Sequence, residues 1–319
     1  MILLSSINLG TRGSELALTQ TEIVTGLLKK AYPMLEVVRT IITTTGDRRQ
    51  DLRLADVAAS SGGVVDKGIF IKELEVALEE TRVDAAVHSL KDMPSELESH
   101  FSLTAVLPRA RIEDVLISRQ PITGINDLPR KATVGTSSVR RARQLKWLRP
   151  DIKIVEIRGN VPTRVRKVMG EAPLDAVMLA AAGLDRLGLL SEDGHSVTLD
   201  GQSLPAVVLA PTEFLPAAGQ GAIAIQTLAR RGDIYDAIRP LNDEVTYGRV
   251  LAERQFLNLL GAGCQTPVGV HTWIDGSSMH MKVRLFDESR EDRPPQEVEA
   301  SAASASPLTL AKKVIAKLR

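Results

Sequence analysis

The sequence is poor in the residues that build several common kinds of site. It has one cysteine, Cys264, in 319 residues, so neither an internal disulfide nor a multi-cysteine zinc site can form. Aromatic residues make up 3% of the chain, too few to lay stacking platforms for single-stranded nucleic acid. No apolar run approaches the roughly 20 residues that span a bilayer. The stretch MILLSSINLGTRGSELAL reaches Arg12 before a signal-length apolar run forms, and it has no basic leader. The five histidines are scattered, none at ligand spacing from Cys264, so no metal site is expected. These absences together fit a cytoplasmic protein in a reducing compartment, away from membrane and nucleic acid.

What is present is unevenly placed. Net charge is +1, yet the window from Arg140 to Lys167 is crowded with Arg and Lys and holds only two acids, Asp151 and Glu156. One cationic region on a near-neutral protein suggests an anionic ligand met at one place; the plainer reading is a solvated helix face. The lone cysteine lies in Gly261-Ala262-Gly263-Cys264-Gln265-Thr266-Pro267-Val268-Gly269. A single thiol is most often an inert core residue, but a thiol among glycines suits attachment of a large group.

At this length two or three domains are the prior. The first two-thirds alternates short β-like runs with helical patterns, which predicts βαβ units and a mostly parallel sheet. Strands are expected over 6–10, 37–44, 84–88, 132–135, 153–157, 176–179, 207–209 and 222–226. Helices are expected over 15–31, 70–80, 138–148, 162–169 and 181–187. In the first of these helices Leu16, Ile23, Leu27 and Ala31 form the apolar face. Residues 48–66 read as a polar loop and 191–205 as a polar excursion. A second unit starts near Arg111. Beyond Asn242 a helix over 245–260, strands over 268–273 and 280–286, Ala/Ser-rich spacers and a helix over 308–318 predict a small α+β domain.

Three segments place polar residues just after predicted strands, where open α/β sheets bind ligands. In Gly10-Thr11-Arg12-Gly13-Ser14, helix-start amides, the Ser14 hydroxyl and the Arg12 guanidinium can hold a carboxylate or phosphate. In Gly135-Thr136-Ser137-Ser138-Val139-Arg140-Arg141, adjacent arginines about 100° apart on a helix can hold two different anionic groups. In Arg158-Gly159-Asn160-Val161-Pro162-Thr163-Arg164, Gly159 permits close backbone approach between two guanidinium forks. A fourth segment, His88-Ser89-Leu90-Lys91-Asp92, puts an acid beside a lysine at a strand end, where it can stabilise positive charge or move a proton. His88 reads as a core histidine.

The stretches TRGSELAL, KGIFIKELEVAL, DAAVHSLKDMP, VGTSSVRRARQL, IRGNVPTR, LAAAGLDRLG, PAAGQGAIAI and GAGCQTPVG, in this order, resemble the porphobilinogen deaminase family over essentially the whole chain. The resemblance implies a three-domain α/β fold. Two doubly wound domains are like periplasmic binding proteins, with the active cleft between them, and a small α+β domain follows. The partition would be 1–109 with 221–240, then 110–220, then 241–319. It implies a transferase that joins four porphobilinogen molecules head to tail, releases ammonia at each condensation and frees a linear tetrapyrrole of the porphyrin pathway with water. It implies a dipyrromethane cofactor bound through a thioether to Cys264, and Asp92 as the catalytic carboxylate. Lys91, Ser138, Arg140, Arg141 and Arg164 are then expected at the cofactor. Arg12, Ser14, Phe70, Arg158, Arg186 and Gln220 are expected at the substrate or growing chain, with Gln220 and Gly221 at a hinge. A monomer is expected on the same ground.

One departure stands out. The family usually carries a lysine in the loop before KG-(I/L)-F, and here Leu54 to Gly63 has none. Asp56 falls near that place, so either Lys67 or a nearby arginine substitutes or the loop contributes differently. Two rival classes are open at this level. A non-enzymatic small-anion-binding protein of periplasmic-binding-protein plan gives Cys264 no task. A cysteine-nucleophile transferase or hydrolase needs a histidine base, and the nearest in sequence, His271, lies on a predicted strand without a third partner.

Overall fold

In the computed structural model, residues 4–44, 71–170, 174–263, 266–290 and 292–318 are described. Along the chain run β1 (Ser6–Thr11), α1 (Glu15–Ala31), β2 (Glu36–Ile41), α2 (Lys72–Glu79), β3 (Ala85–Ser89), β4 (Phe101–Val106), β5 (Asp114–Ser118) and β6 (Thr133–Gly135). Next come α3 (Val139–Leu148), β7 (Lys153–Val155), α4 (Val161–Met169), β8 (Ala176–Ala180), α5 (Ala181–Arg186), β9 (Ser196–Leu199), β10 (Gln202–Leu209) and β11 (Ile223–Leu228). The chain ends with α6 (Gly232–Ile238), α7 (Glu244–Leu260), β12 (Val268–Asp275), β13 (Ser278–Leu285), β14 (Gln296–Ala303) and α8 (Pro307–Leu318).

The chain divides into two compact units, Met1–Arg109 with Ala222–Arg254, and Ala110–Gly221 with Gln255–Arg319. The first holds a five-stranded sheet of order β2-β1-β3-β11-β4. β1 pairs in parallel with β2 and β3, whereas β11 runs antiparallel to β3 and β4. The sheet is therefore mixed, not mostly parallel, because β11 re-enters the unit from the opposite direction. Ile7, Leu9, Val87, Ala105, Ile223 and Ile225 fill its core with Val24 and Leu28 of α1. The expected face of α1 is corrected. Its buried residues are Gln20, Thr21, Val24, Thr25 and Leu28, while Ile23 is exposed. The interior tolerates these polar groups because they are bonded: Thr21 Oγ1 donates to Ala17 O at 2.9 Å and Gln20 Nε2 to Ser89 Oγ at 2.8 Å.

The second unit holds a six-stranded sheet, β7-β6-β8-β5-β10-β9, and a three-stranded one, β12-β13-β14. β6 is parallel to β7 and β8, and β5 is antiparallel to β8 and β10. The expected polar excursion is a hairpin, β9 to β10. Its turn has positive φ at Asp200 and Gly201 (52° and 76°), the conformation that favours Asp-Gly between strands. The expected Ala/Ser spacer contains strand β14, paired along its length with β13. Its alternating burial of small residues, Ala300 and Ala302, gives too weak an apolar signal to be read from sequence. Strands β4 and β5 and helix α6 are likewise additions to the expected elements. On α3, Trp147 lies under the Arg284 guanidinium of β13 at 4.5 Å and edge-on to Phe286, which ties the two sheets of this unit together.

Candidate functional site

In the first unit, parallel register places Gly10 opposite Ala86, so β1 and β3 end at the same sheet edge. Ser14 follows β1 and caps α1, its Oγ accepting from Ala17 N at 3.3 Å. Arg12, just before it, is partly exposed. Gly10 has little room for a side chain, since a Cβ there would sit 3.0 Å from Val83 Cγ2. After β3 the chain makes one 3-10 turn, Leu90–Asp92. Leu90 N donates to Ala222 O and Met93 N to Leu90 O, both at 3.0 Å. The Leu90 and Met93 side chains are buried with Ile71, Val106, Ala224 and Val250. Each such burial contributes about 1.5–3 kcal/mol. Two apolar pegs thus pin the turn and leave Lys91 and Asp92 between them at partly exposed positions.

In the second unit, β6 ends at Gly135 and Ser138 caps α3, its Oγ accepting from Arg141 N at 3.4 Å. Arg140 and Arg141 do not face two separate groups in this structure. Both are 5% exposed and converge on Asp114, the first residue of β5. Arg140 Nη1 donates to Asp114 Oδ2 at 2.6 Å and to Leu215 O at 2.7 Å. Arg141 gives Nε and Nη2 to Asp114 Oδ1 at 3.0 and 2.7 Å, and Nη1 to Met178 O at 3.0 Å. Burial would raise the Asp114 pKa, but the two guanidinium groups reverse that and hold it far below the usual carboxylate range. Gln220 joins the same carboxylate, its Nε2 lying 3.1 Å from Asp114 Oδ1 and 2.7 Å from Ile112 O. Asp114 is the site residue that sequence reasoning missed. Antiparallel pairing sets it beside Ala180 at the end of β8, a relation no local pattern records.

The third loop behaves as its glycine predicts. Gly159 has φ of +108°, and a Cβ there would meet Thr163 Cγ2 at 2.6 Å. Asn160 caps α4 by accepting from Thr163 N at 3.0 Å, with Pro162 in the first turn. Arg158 contacts Glu156 at 3.3 Å, and Arg164 Nε donates to Gly159 O at 2.7 Å. Arg186, in the last turn of α5, donates from Nη2 to Gly221 O at 2.7 Å. Burial lowers its pKa, partly opposed by Asp185. Cys264, Phe70 and the 48–66 loop, with Asp56, lie outside the described residues, as does Lys67. On either side of the cysteine, Gly263 N donates to Thr266 Oγ1 at 3.1 Å, and that hydroxyl donates to Glu288 Oε1 at 2.7 Å. Among the described residues no cluster of His, Cys, Asp and Glu could hold a metal, and no helix is long and apolar enough to cross a membrane.

Two mixed α/β units, each with a serine-capped helix following a strand of its sheet, define the chain as an α/β protein. The profile described as "Porphobilinogen deaminase, dipyromethane cofactor binding domain" matches residues 7–236, and that of the porphobilinogen deaminase C-terminal domain matches 247–319. A porphobilinogen deaminase of Syntrophobacter fumaroxidans is 42% identical over 298 residues, covering 91% of this chain and 90% of its own. One of Syntrophomonas wolfei is 40% identical over 311 residues, 95% of each chain. The chain belongs to the porphobilinogen deaminase family, transferases of tetrapyrrole biosynthesis with a dipyrromethane cofactor. At low identity it is also similar to the methionine-binding protein MetQ: 15%, TM-score 0.43, covering 78% of this chain and 96% of that one.

Proposed function

We propose that this chain makes the linear tetrapyrrole from four porphobilinogen molecules, with Cys264 as the thioether anchor of dipyrromethane and Asp92 as the catalytic carboxylate. The observation that carries the proposal is the Leu90–Asp92 turn. Buried Leu90 and Met93 fix it from both sides, so the Asp92 carboxylate is held at a strand end without being buried itself. From there it can accept a pyrrole proton and stabilise positive charge developing on the substrate when ammonia leaves. Lys91 beside it, and Arg12 and Ser14 at the end of β1, offer donors to substrate carboxylates.

The residues present suit a cofactor rich in carboxylates. Arg140 Nε is buried without an acceptor, although its Nη1 is fully used on Asp114 and Leu215. This guanidinium therefore has a donor to spare. Gly159, whose Cβ would strike Thr163 of the following helix, permits the tight turn that carries Arg158 and Arg164. Ser138, Arg140, Arg141 and Arg164 would hold the cofactor, and Arg158, Arg186 and Gln220 the growing chain. When bound, dipyrromethane supplies the pyrrole terminus to which units are added. Asp114 orients the Arg140–Arg141 pair, so that their remaining donors stay in place without reorganisation.

The three-domain partition at 1–109 with 221–240, 110–220 and 241–319 belongs to the same reading. It is supported by the separate profile over 247–319 and the separate sheet β12-β13-β14. A cytoplasmic location belongs to that reading as well, supported by the single cysteine and the lack of a membrane-length apolar run in the sequence, and a monomeric state belongs to it on the family resemblance alone. The test is intact-mass measurement of purified protein together with porphobilinogen turnover. A mass increment for dipyrromethane, lost in Cys264→Ala, and ammonia release are expected. A bare-chain mass with no turnover would remove the proposal.

A further inference from the structure

The chain on either side of Cys264 is held by a carboxylate that the chemistry above does not use. Residues 263 and 266 are bonded to each other in both directions: Gly263 N donates to Thr266 Oγ1 at 3.1 Å, and Thr266 N to Gly263 O at 3.2 Å. The Thr266 hydroxyl has one proton to give, and it goes to Glu288 Oε1 at 2.7 Å. A hydroxyl-to-carboxylate bond of that length is charge-assisted. It fixes the hydroxyl rotor and leaves the oxygen lone pairs for Gly263 N. The β12–β13 ladder ends at the pair Val268 and Leu285, and one more main-chain bond, Phe286 N to Pro267 O at 3.1 Å, extends it. Thr266 and Glu288 stand beyond that last rung. Their side-chain bond continues the cross-link where this main-chain pairing has ended.

The loop that carries Glu288 is also fastened to α3. Arg143, 9% exposed, donates from Nη2 to Arg290 O at 2.7 Å and lies over the Phe286 ring at 5.7 Å. Asp287 Oδ1 stiffens the stretch between them, accepting from Ser289 N at 2.9 Å and from Arg290 N at 3.1 Å. α3 is the helix of Arg140 and Arg141. The start of β12 is set against the same groups: Val270 N donates to Pro216 O at 2.8 Å, and Leu215 O accepts from Arg140 Nη1. All of these residues belong to the second unit. A group held covalently at one end and by guanidinium forks at the other needs both ends at a fixed spacing. The loop over 286–290 joins the two, to α3 through Arg143 and to the cysteine segment through Glu288.

We propose that Glu288 is a positioning residue for attachment of the cofactor. By accepting the Thr266 proton it sets the hydroxyl that holds Gly263, and so fixes the chain on both sides of Cys264 relative to α3. The proposal rests on Cys264 as the dipyrromethane anchor. The step it serves forms one S–C bond at the thiol and breaks the aminomethyl C–N bond of porphobilinogen, the thiol proton leaving on ammonia. In the test, full-length chain produced without porphobilinogen is mixed with it, and the mass increment on Cys264 is followed in time. E288A and T266V load slower by roughly three- to tenfold, the effect of one lost hydrogen bond, while their thermal midpoints stay within about 3 °C of wild type. E288Q and T266S, which keep an acceptor and a hydroxyl, load within roughly twofold of wild type. The double variant T266V/E288A is no slower than the slower single, because both act through one bond. Wild-type loading in E288A, or E288Q as slow as E288A, overturns the proposal. So does a double variant in which the two losses multiply. A readout independent of loading is hydrogen exchange at the Gly263 amide, which quickens in E288A and not in E288Q. Equal exchange in both variants and wild type sinks the proposal even where T266V fails to fold. A wild-type chain that takes up no increment brings down the anchor reading, and this one with it.

Discussion

Asp114 Oδ2 accepts a hydrogen bond from Arg140 Nη1 at 2.6 Å, across 26 residues of sequence and inside the protein. The Arg141 guanidinium closes on the other oxygen of the same carboxylate. A buried ion pair of this kind is weak evidence of net stabilisation, but removing one partner strands the others. Asp114→Asn is therefore expected to cost about 3–5 kcal/mol, read as a lower urea midpoint by Trp fluorescence. An unchanged midpoint would show that the pair contributes nothing.

The same carboxylate predicts an acid dependence. The folded-state pKa of Asp114 lies below its unfolded value. Its stabilisation is thus fully present above the ordinary carboxylate pKa of about 3.9 and is lost as pH falls from there toward the folded value. Wild-type stability should decline below about pH 4, and Asp114→Asn should show a shallower decline over that range. Equal slopes would exclude Asp114 from the acid response.

Asp92→Asn should fold normally and keep its cofactor by intact mass, because the turn is pinned by Leu90 and Met93 and not by the carboxylate. Its kcat is expected to fall by about 10²–10⁴, the usual span for a lost general acid–base group. Turnover at the wild-type rate would remove Asp92 from the mechanism.

Arg140→Leu should impair cofactor loading as well as turnover, and it should also lower stability, since it leaves part of the Asp114 charge unpaired. Intact mass separates these effects from simple surface charge. Fully loaded, fully active and equally stable protein would mean that the guanidinium does neither task. Arg158→Leu makes the contrast. Its partner Glu156 is exposed, so stability should change by less than about 1 kcal/mol while turnover falls.

Gly221→Ala is expected to cost more than about 1 kcal/mol through its left-handed backbone alone. Its φ is +86°, and a Cβ would lie 2.6 Å from Ala110 O. Main chain cannot step aside as a side chain can, and the neighbouring Ala110 N to Gly221 O bond, at 3.1 Å, would be strained. A thermal midpoint equal to wild type would refute the crowding.

Much of the fold was legible because local signals agreed with it. Ser14, Ser138 and Asn160 each cap the helix that follows a strand, and those caps, with the glycines beside them, are local chemistry. The misreadings were equally physical. Gln20, Thr21 and Thr25 look like surface residues, yet α1 buries them. β14 is built from small residues whose strand character comes from pairing with β13.

The sequence by itself determined the family, the strand-end turns and the chemical types gathered there, since ordered motifs and capping residues act within a few positions of one another. Only the tertiary structure decided which groups are spent on the protein itself. Arg140 and Arg141 read as two open forks, and pairing of β5 with β8 brings Asp114 under both of them. His88 read as an ordinary core histidine, and burial in the folded chain lowers its pKa to about 4, against the upward pull of Gln226 and Asp92. A charge's state depends on its desolvation and its nearest neighbours in space, and both are set by packing between segments far apart in the chain.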